Sequence, residues 1–236
     1  MLNNNLLALG ITFGASLAWL RLMDHAAEKG WIESQLSRKI IHMGTGPIFV
    51  LCWLLFDESE SSRYLAALVP LLITVQFALV GFGVIKDEAA VQAMTRTGDP
   101  REILRGPLYY GLVFVVITRV FWLDSPVGII ALMLMCGGDG LADIVGRRWG
   151  KFKLPWAPEK SLWGSIGMLV GGWVFALVIV GIFVSAGVFE GPFSAYIVPI
   201  NMLAVVGMAV ESLPLRDIDN ITVTAAAVIY GNLLFL

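Results

Sequence analysis

Charged residues make up only 14% of this 236-residue chain, where a soluble domain carries about 25%. Apolar residues reach 58%, and the mean hydropathy is +0.81. One core of this size cannot hide so much apolar surface, so an ordinary water-soluble domain is excluded. A basic excess is missing too. Sixteen Lys and Arg face 18 Asp and Glu, a formal charge of −2, without the electrostatic footprint of a nucleic-acid binder. Cysteine is nearly absent: Cys52 and Cys136 each lie within an apolar run and read as buried free thiols, not as a disulfide framework. The alternating pattern of a membrane β-barrel does not occur. Neither a GxxxxGK[ST] loop nor a GxGxxG loop is present, so any phosphate site must be built another way.

What the chain does have is long apolar runs. A bilayer span needs about 20 mostly apolar residues, and eight candidates fit: Asn5–Met23, Ile40–Phe56, Tyr64–Ile85, Gly106–Leu123, Pro126–Val145, Gly164–Val188, Phe193–Val210 and Ile221–Leu236. The first has no Lys or Arg before Arg21 and no small-residue cleavage site after it, so it reads as a mature span and not as a signal peptide. The expected fold is an all-α, polytopic membrane protein of about eight transmembrane helices, residues 1–236 forming a single integral membrane domain. All basic residues except Arg63 and Arg119 fall in or beside the odd-numbered connections. The positive-inside rule then makes those connections cytoplasmic and puts both termini on the non-cytoplasmic side. Between Lys86 and Arg105 the apolar residues are too sparse for a span, and a short interfacial helix is expected.

Four polar clusters lie on or near the expected cytoplasmic face. In Cys136-Gly-Gly-Asp-Gly-Leu-Ala-Asp143, Asp139 and Asp143 stand four apart, so a helix points both carboxylates the same way. Charged groups at this depth usually mark function. A divalent cation would relieve their repulsion, and Mg²⁺ typically takes one or two carboxylates plus phosphate oxygens. Gly137, Gly138 and Gly140 remove side chains where a ligand or a neighbouring backbone comes close. The plainer alternative is small-residue packing with the aspartates paired to Arg147 and Arg148.

Lys160 and Ser161 stand just before the sixth span, with Gly164 and Ser165 in its first turns. A helix start suits phosphate: Ser161 would cap the helix while Lys160 neutralises the anion. Read blandly, the same segment is a topogenic basic loop with an ordinary cap. Arg38, Lys39 and His42 share one helical face at the mouth of the second span, where His42 could accept a proton or bind phosphate. The competing reading is a basic interfacial anchor with a core histidine. Finally, Glu211, Asp217, Asp219 and Asn220 flank the break at Pro214, either as ligands or as solvated acids and caps. Paired acids, cations, a helix start and a possible base beside a membrane are what phosphoryl transfer requires.

At these residues the chain resembles the CTP-dependent polyprenol kinases, which include phytol, farnesol and dolichol kinases. The resemblance rests on Arg38-Lys39-x-x-His42, on Gly138-Asp139-Gly140-x-Ala142-Asp143-x-x-Gly146-Arg147-Arg148-x-Gly150, on Lys160-Ser161-x-x-Gly164-Ser165, and on Glu211-Ser212-x-Pro214 with Asp219-Asn220. It covers nearly the whole chain in order, and the short length is most similar to the phytol kinase branch. It implies transfer of the terminal phosphate of CTP to a membrane-dissolved prenyl alcohol with Mg²⁺. Asp139, Asp143, Lys160 and His42 would be the catalytic residues, with Glu211 or Asp219 as alternative bases to His42. Arg147, Arg148, Lys160, Ser161, Gly164 and Ser165 would hold the nucleotide. Arg38, Lys39, His42, Glu211 and Asn220 would meet the lipid alcohol, and Asp139, Asp143, Glu211 and Asp219 would be the metal ligands. A CTP-dependent cytidylyltransferase making a CDP-lipid is the related alternative. A cation-coupled transporter fits less well, because its polar residues would gather near the bilayer midplane.

Overall fold

The computed structural model of the protein describes residues 4–95, 97–215 and 218–235. Arg96, Arg216 and Asp217, which the sequence puts in odd connections, lie outside the described residues. The chain falls into two compact units, Met1–Val120 and Phe121–Leu236.

In the first unit, α1 (Asn5–Glu28) packs against α2 (Ser34–Leu51) and α3 (Glu60–Gly81), and α3 packs against α5 (Gly106–Val120). A short α4 (Glu88–Met94) occupies the Lys86–Arg105 connection, as the sparse apolar pattern predicts. Local chemistry starts these helices. The Asn4 side chain accepts from the N–H groups of Leu6 and Leu7 at 2.9 and 3.2 Å, and Asp87 caps α4 through Ala90 N–H, relieving donors that a helix start leaves unpaired. Asp57 organises the turn into α3 by accepting from Ser59 N–H and Ser62 O–H at 2.9 and 2.6 Å. Those bonds favour its ionised form and hold the carboxyl well below the usual range. The two basic residues outside the odd connections are both engaged: Arg63 pairs with Glu60 at 3.3 Å, and Arg119 lies 4.2 Å from the Tyr64 ring centroid.

The second unit is built on one interior helix. Residues 127–138 are all buried, as expected of a segment apolar on every side. Ser125 caps its first stretch, α6 (Pro126–Met133). The helix then widens into a π-turn over Leu134–Asp139 and continues as α7 (Gly140–Trp149). Around the π-turn pack α8 (Leu162–Ser185), α9 (Ser194–Glu211) and α10 (Asp219–Leu234). A two-stranded hairpin joins α7 to α8: β1 (Lys153–Leu154) pairs antiparallel with β2 (Ala157–Ser161). It is the only sheet among the described residues and had no place in the all-α expectation, although Pro155 in the two-residue turn is a signal for it.

Each of the eight expected spans corresponds to a helix, and six helical stretches among the described residues are long and apolar enough to cross a membrane. The protein is therefore a multi-pass, all-α membrane protein. Two of the eight fall short of that measure. Helix α2 begins at Ser34 and so carries Arg38 and Lys39 inside it, and α10 has only 16 residues. The fifth expected span runs on to Trp149, which puts Arg147 and Arg148 in a last helical turn. Cys52 is half-buried and Cys136 buried, and both are free thiols.

Glycines decide how close the interior helix comes to α8. A Cβ on Gly171 would lie 2.3 Å from the carbonyl oxygen of Gly137, and one on Gly137 would lie 2.8 Å from that of Gly171. A Cβ on Gly167 would meet the Leu141 carbonyl at 2.9 Å. The space left by Gly171 and Gly167 is thus taken chiefly by backbone, and that left by Gly137 by backbone and the Phe175 side chain, 2.4 Å from its Cβ position. Gly10 of α1 faces open space by contrast, and a Cβ there would meet nothing within 4 Å. Gly171→Ala should destabilise the protein by about 1–3 kcal/mol through overpacking. Gly10→Ala should be neutral or stabilising by up to about 1 kcal/mol, since helical glycine costs entropy. Thermal unfolding of both variants in detergent checks the contrast, and equal behaviour would contradict it.

Candidate active site

At the cytoplasm-predicted end of the second unit, three elements bring charged groups together. Strand β2 ends in Lys160 and Ser161, α9 ends in Glu211, and α10 begins with Asp219 and Asn220. The Lys160 ammonium donates to Glu211 Oε1 at 2.6 Å and stands 3.7 Å from Asp219 Oδ2. Asp139, the last residue of the π-turn, acts electrostatically on both Lys160 and Glu211. Three clusters that are separate along the sequence thus become one. No sequence spacing signals this, because 51 residues separate Lys160 from Glu211.

The cluster is largely withdrawn from water: the side chains of Lys160 and Glu211 are 21% and 7% exposed. Burial by itself lowers the Lys160 ammonium, but the carboxylates of Glu211, Asp219 and Asp139 outweigh it and leave the group above its ordinary value of 10.5. Lys160 is therefore a firmly charged ammonium. It already holds a carboxylate, so an incoming phosphate would compete with or join Glu211.

Ser161 is buried and caps α8, accepting from Gly164 N–H at 3.1 Å, as expected. Leu162 N–H donates to the Phe152 carbonyl at 2.9 Å. Two N–H groups of this helix start are therefore engaged within the protein, which narrows the expected anion site. Gly164 contributes close packing as well, since a Cβ there would lie 3.3 Å from the Ala142 carbonyl. Asp143 pairs with Arg147 at 3.0 Å, one helical turn on, the plainer of its two expected arrangements. Arg148 lies over the Trp149 ring, 5.4 Å from its centroid.

Three buried side-chain atoms close to these charges have no hydrogen-bond partner among the described residues: Ser165 Oγ, Glu211 Oε2 and Asn220 Oδ1. Buried polar atoms are normally satisfied, and these three lie on the ends of α8, α9 and α10 that carry or adjoin the charged cluster. Two of them can only accept, from a hydroxyl or by binding a cation. Among the described residues no group of three His, Cys, Asp or Glu is close enough to cage a metal alone. The donor set instead suits a hard cation that takes one or two carboxylates and completes its shell with ligand oxygens and water.

Arg38, Lys39 and His42 lie on α2 of the first unit. The His42 ring sits 4.3 Å from that of Tyr110, whose hydroxyl donates to the His42 carbonyl at 2.6 Å. Helix α5 thereby fixes this turn of α2, a contact no sequence motif indicates.

The chain is similar to a probable chloroplastic phytol kinase of Zea mays, 40% identical over 227 residues that cover 95% of this chain and 75% of that protein. A chloroplastic farnesol kinase of Arabidopsis thaliana is 38% identical over 230 residues, 97% and 75% of the two chains. Phytol kinase 1 of the same plant is 35% identical over 224 residues, covering 94% and 74%. The chain belongs to the phytol kinase-like family of prenol kinases. No family model and no solved structure matches it.

A raised ammonium value means that the folded protein holds the Lys160 proton more tightly than the unfolded chain does. That contribution to stability is complete below pH 10.5 and is lost as the pH climbs through the folded value. Glu211→Gln removes the largest of the raising charges and leaves the desolvation in place. Its alkaline unfolding should therefore begin at lower pH than the parent's. Unfolding followed against pH in detergent tests this, and coincident alkaline limbs would show that Glu211 does not hold the proton on Lys160.

Proposed function

We propose that the protein is a kinase that transfers the terminal phosphate of CTP to the hydroxyl of a membrane-dissolved prenyl alcohol, phytol or a similar isoprenoid, in a Mg²⁺-dependent reaction on the cytoplasmic face. The observation that carries this reading is the Lys160–Glu211–Asp219 cluster with its three orphaned polar atoms. It joins a cation for phosphate, carboxylates for a metal and acceptors for a hydroxyl. The names phytol kinase and farnesol kinase borne by relatives supply the acceptor class, and the resemblance to CTP-dependent enzymes supplies the donor.

In this reading the alcohol oxygen forms a bond to the terminal phosphorus. The bond from that phosphorus to the bridging oxygen breaks, and CDP leaves with the electron pair. Within the second unit the alcohol proton passes to Glu211 Oε2; His42, on the first unit, is the base that the family motif offers instead. Lys160, with Arg147 and Arg148, neutralises donor phosphates, while Ser161 and Ser165 line the start of α8. Mg²⁺ would be held by Asp139 and Asp143, with Glu211 and Asp219 in reach of the same charge, and would neutralise phosphate charge. Asn220 and Glu211 would orient the acceptor hydroxyl, and Arg38 and Lys39 would guide the lipid headgroup region. Transfer of this kind is mostly positioning and charge neutralisation.

Membranes containing the protein should move label from γ-labelled CTP into lipid when given phytol or farnesol. Label entering lipid only from the α position would instead identify a cytidylyltransferase, and label in neither would remove both enzymes. Asp139→Asn should abolish turnover, by about 10³-fold or more if it removes a metal ligand acting on phosphate charge, with the protein still inserted and folded. Full activity in that variant would sink its assigned role. For the proton acceptor, His42→Ala should keep CTP binding and lose alcohol phosphorylation by about 10²–10⁴-fold. If activity survives there and is lost in Glu211→Gln, the base is the carboxylate.

A further inference from the structure

Trp156 occupies the tip of the β1–β2 hairpin, the second residue of a two-residue turn between the paired Leu154 and Ala157. Its indole N–H donates to the Ser212 carbonyl at 3.0 Å, across 56 residues of sequence. Ser212 is the C-terminal cap of α9 and follows Glu211 directly. A helix end leaves carbonyls without intrahelical donors, and the indole supplies one. Helix α9 thus gives two consecutive residues to the same hairpin, the Glu211 carboxylate to Lys160 and the Ser212 carbonyl to Trp156. Strand β2 is only five residues long. It is held at its tip by Trp156, at its base by the Leu162–Phe152 bond and at its end by the Ser161 cap. Lys160 lies between these points, and the tip bond ties the hairpin that carries it to the helix that carries Glu211. Burial does not explain Trp156, because the residue is 59% exposed.

We propose that Trp156 is a positioning residue of this site: its indole N–H holds the hairpin to the end of α9 and thereby sets where the Lys160 ammonium meets a phosphate. The proposal rests on the reading of Lys160 as a phosphate-binding residue. An exposed tryptophan beside basic residues is also the composition of an interfacial membrane anchor, and the two roles part on one substitution. Trp156→Phe keeps an aromatic anchor and deletes only the donor.

In Trp156→Phe, equilibrium binding of CTP should weaken about three- to tenfold, the size expected for losing one neutral hydrogen bond. The KM for the prenyl alcohol should not change. In a Lys160→Ala background the same substitution should weaken CTP binding no further, since residues acting through one another are non-additive. Hydrogen exchange of the amides of residues 153–161 should be faster in Trp156→Phe than in the parent. CTP binding equal to the parent's would leave Trp156 as an anchor only and overturn the proposal. So would an equal loss in both backgrounds, because Trp156 would then act elsewhere. If the parent binds no CTP and phosphorylates no alcohol, the functional reading fails, and the exchange measurement still decides the latch. Unchanged exchange in 153–161 would overturn it.

Discussion

Two helix backbones touch only where at least one of the facing residues lacks a side chain, and in the second unit that contact runs from Gly137 to Gly171 and from Leu141 to Gly167. Lipid tails offer no hydrophobic drive for helices to associate, so close backbone approach is a main source of cohesion in a membrane protein. The glycines therefore set how deep α8 settles on the interior helix. That depth in turn fixes where α8 begins, and with it the strand that delivers Lys160. The π-turn Leu134–Asp139 sits within the same contact. Such widened turns recur at functional sites, and this one ends on Asp139.

The second constraint is electrostatic. Four carboxylates and a lysine at the edge of an apolar bundle are costly to desolvate unless they answer one another's charge. Lys160 does so for Glu211 and Asp219, and Arg147 does so for Asp143. The arrangement is balanced without being saturated, since Ser165, Glu211 and Asn220 each keep one buried polar atom without a partner among the described residues. Such atoms offer a polar ligand acceptors that the protein itself does not use.

The first unit shows the same economy with different means. Its helices are tied by local caps at Asn4 and Asp87, by the Asp57 turn, and by the Tyr110 hydroxyl on the His42 carbonyl. The ring contact between Tyr110 and His42 restrains an imidazole that the Arg38-Lys39-x-x-His42 motif singles out. Membership in the prenol kinase family, carried by relatives that match over nearly the whole chain, covers both units.

Composition alone determined that this chain lives in a membrane, because 58% apolar residues exceed what a soluble core can bury. Continuous apolar runs placed the helices, since a bilayer-spanning segment must satisfy its backbone internally. The candidate site residues were legible as well, in the motifs around Asp139, Lys160 and Glu211. The sequence could not count the spans that meet the length and polarity of a membrane crossing, because α2 draws Arg38 and Lys39 into its own turns. Apart from the turn signal of Pro155, it held no sign that Lys160 rides on a strand, and none that Asp139 ends a π-turn or that Trp156 reaches Ser212. Those features depend on contacts between residues distant along the chain, whose energies decide between local conformations of similar propensity. Tertiary packing made that choice, and in doing so turned separate motifs into one charged site.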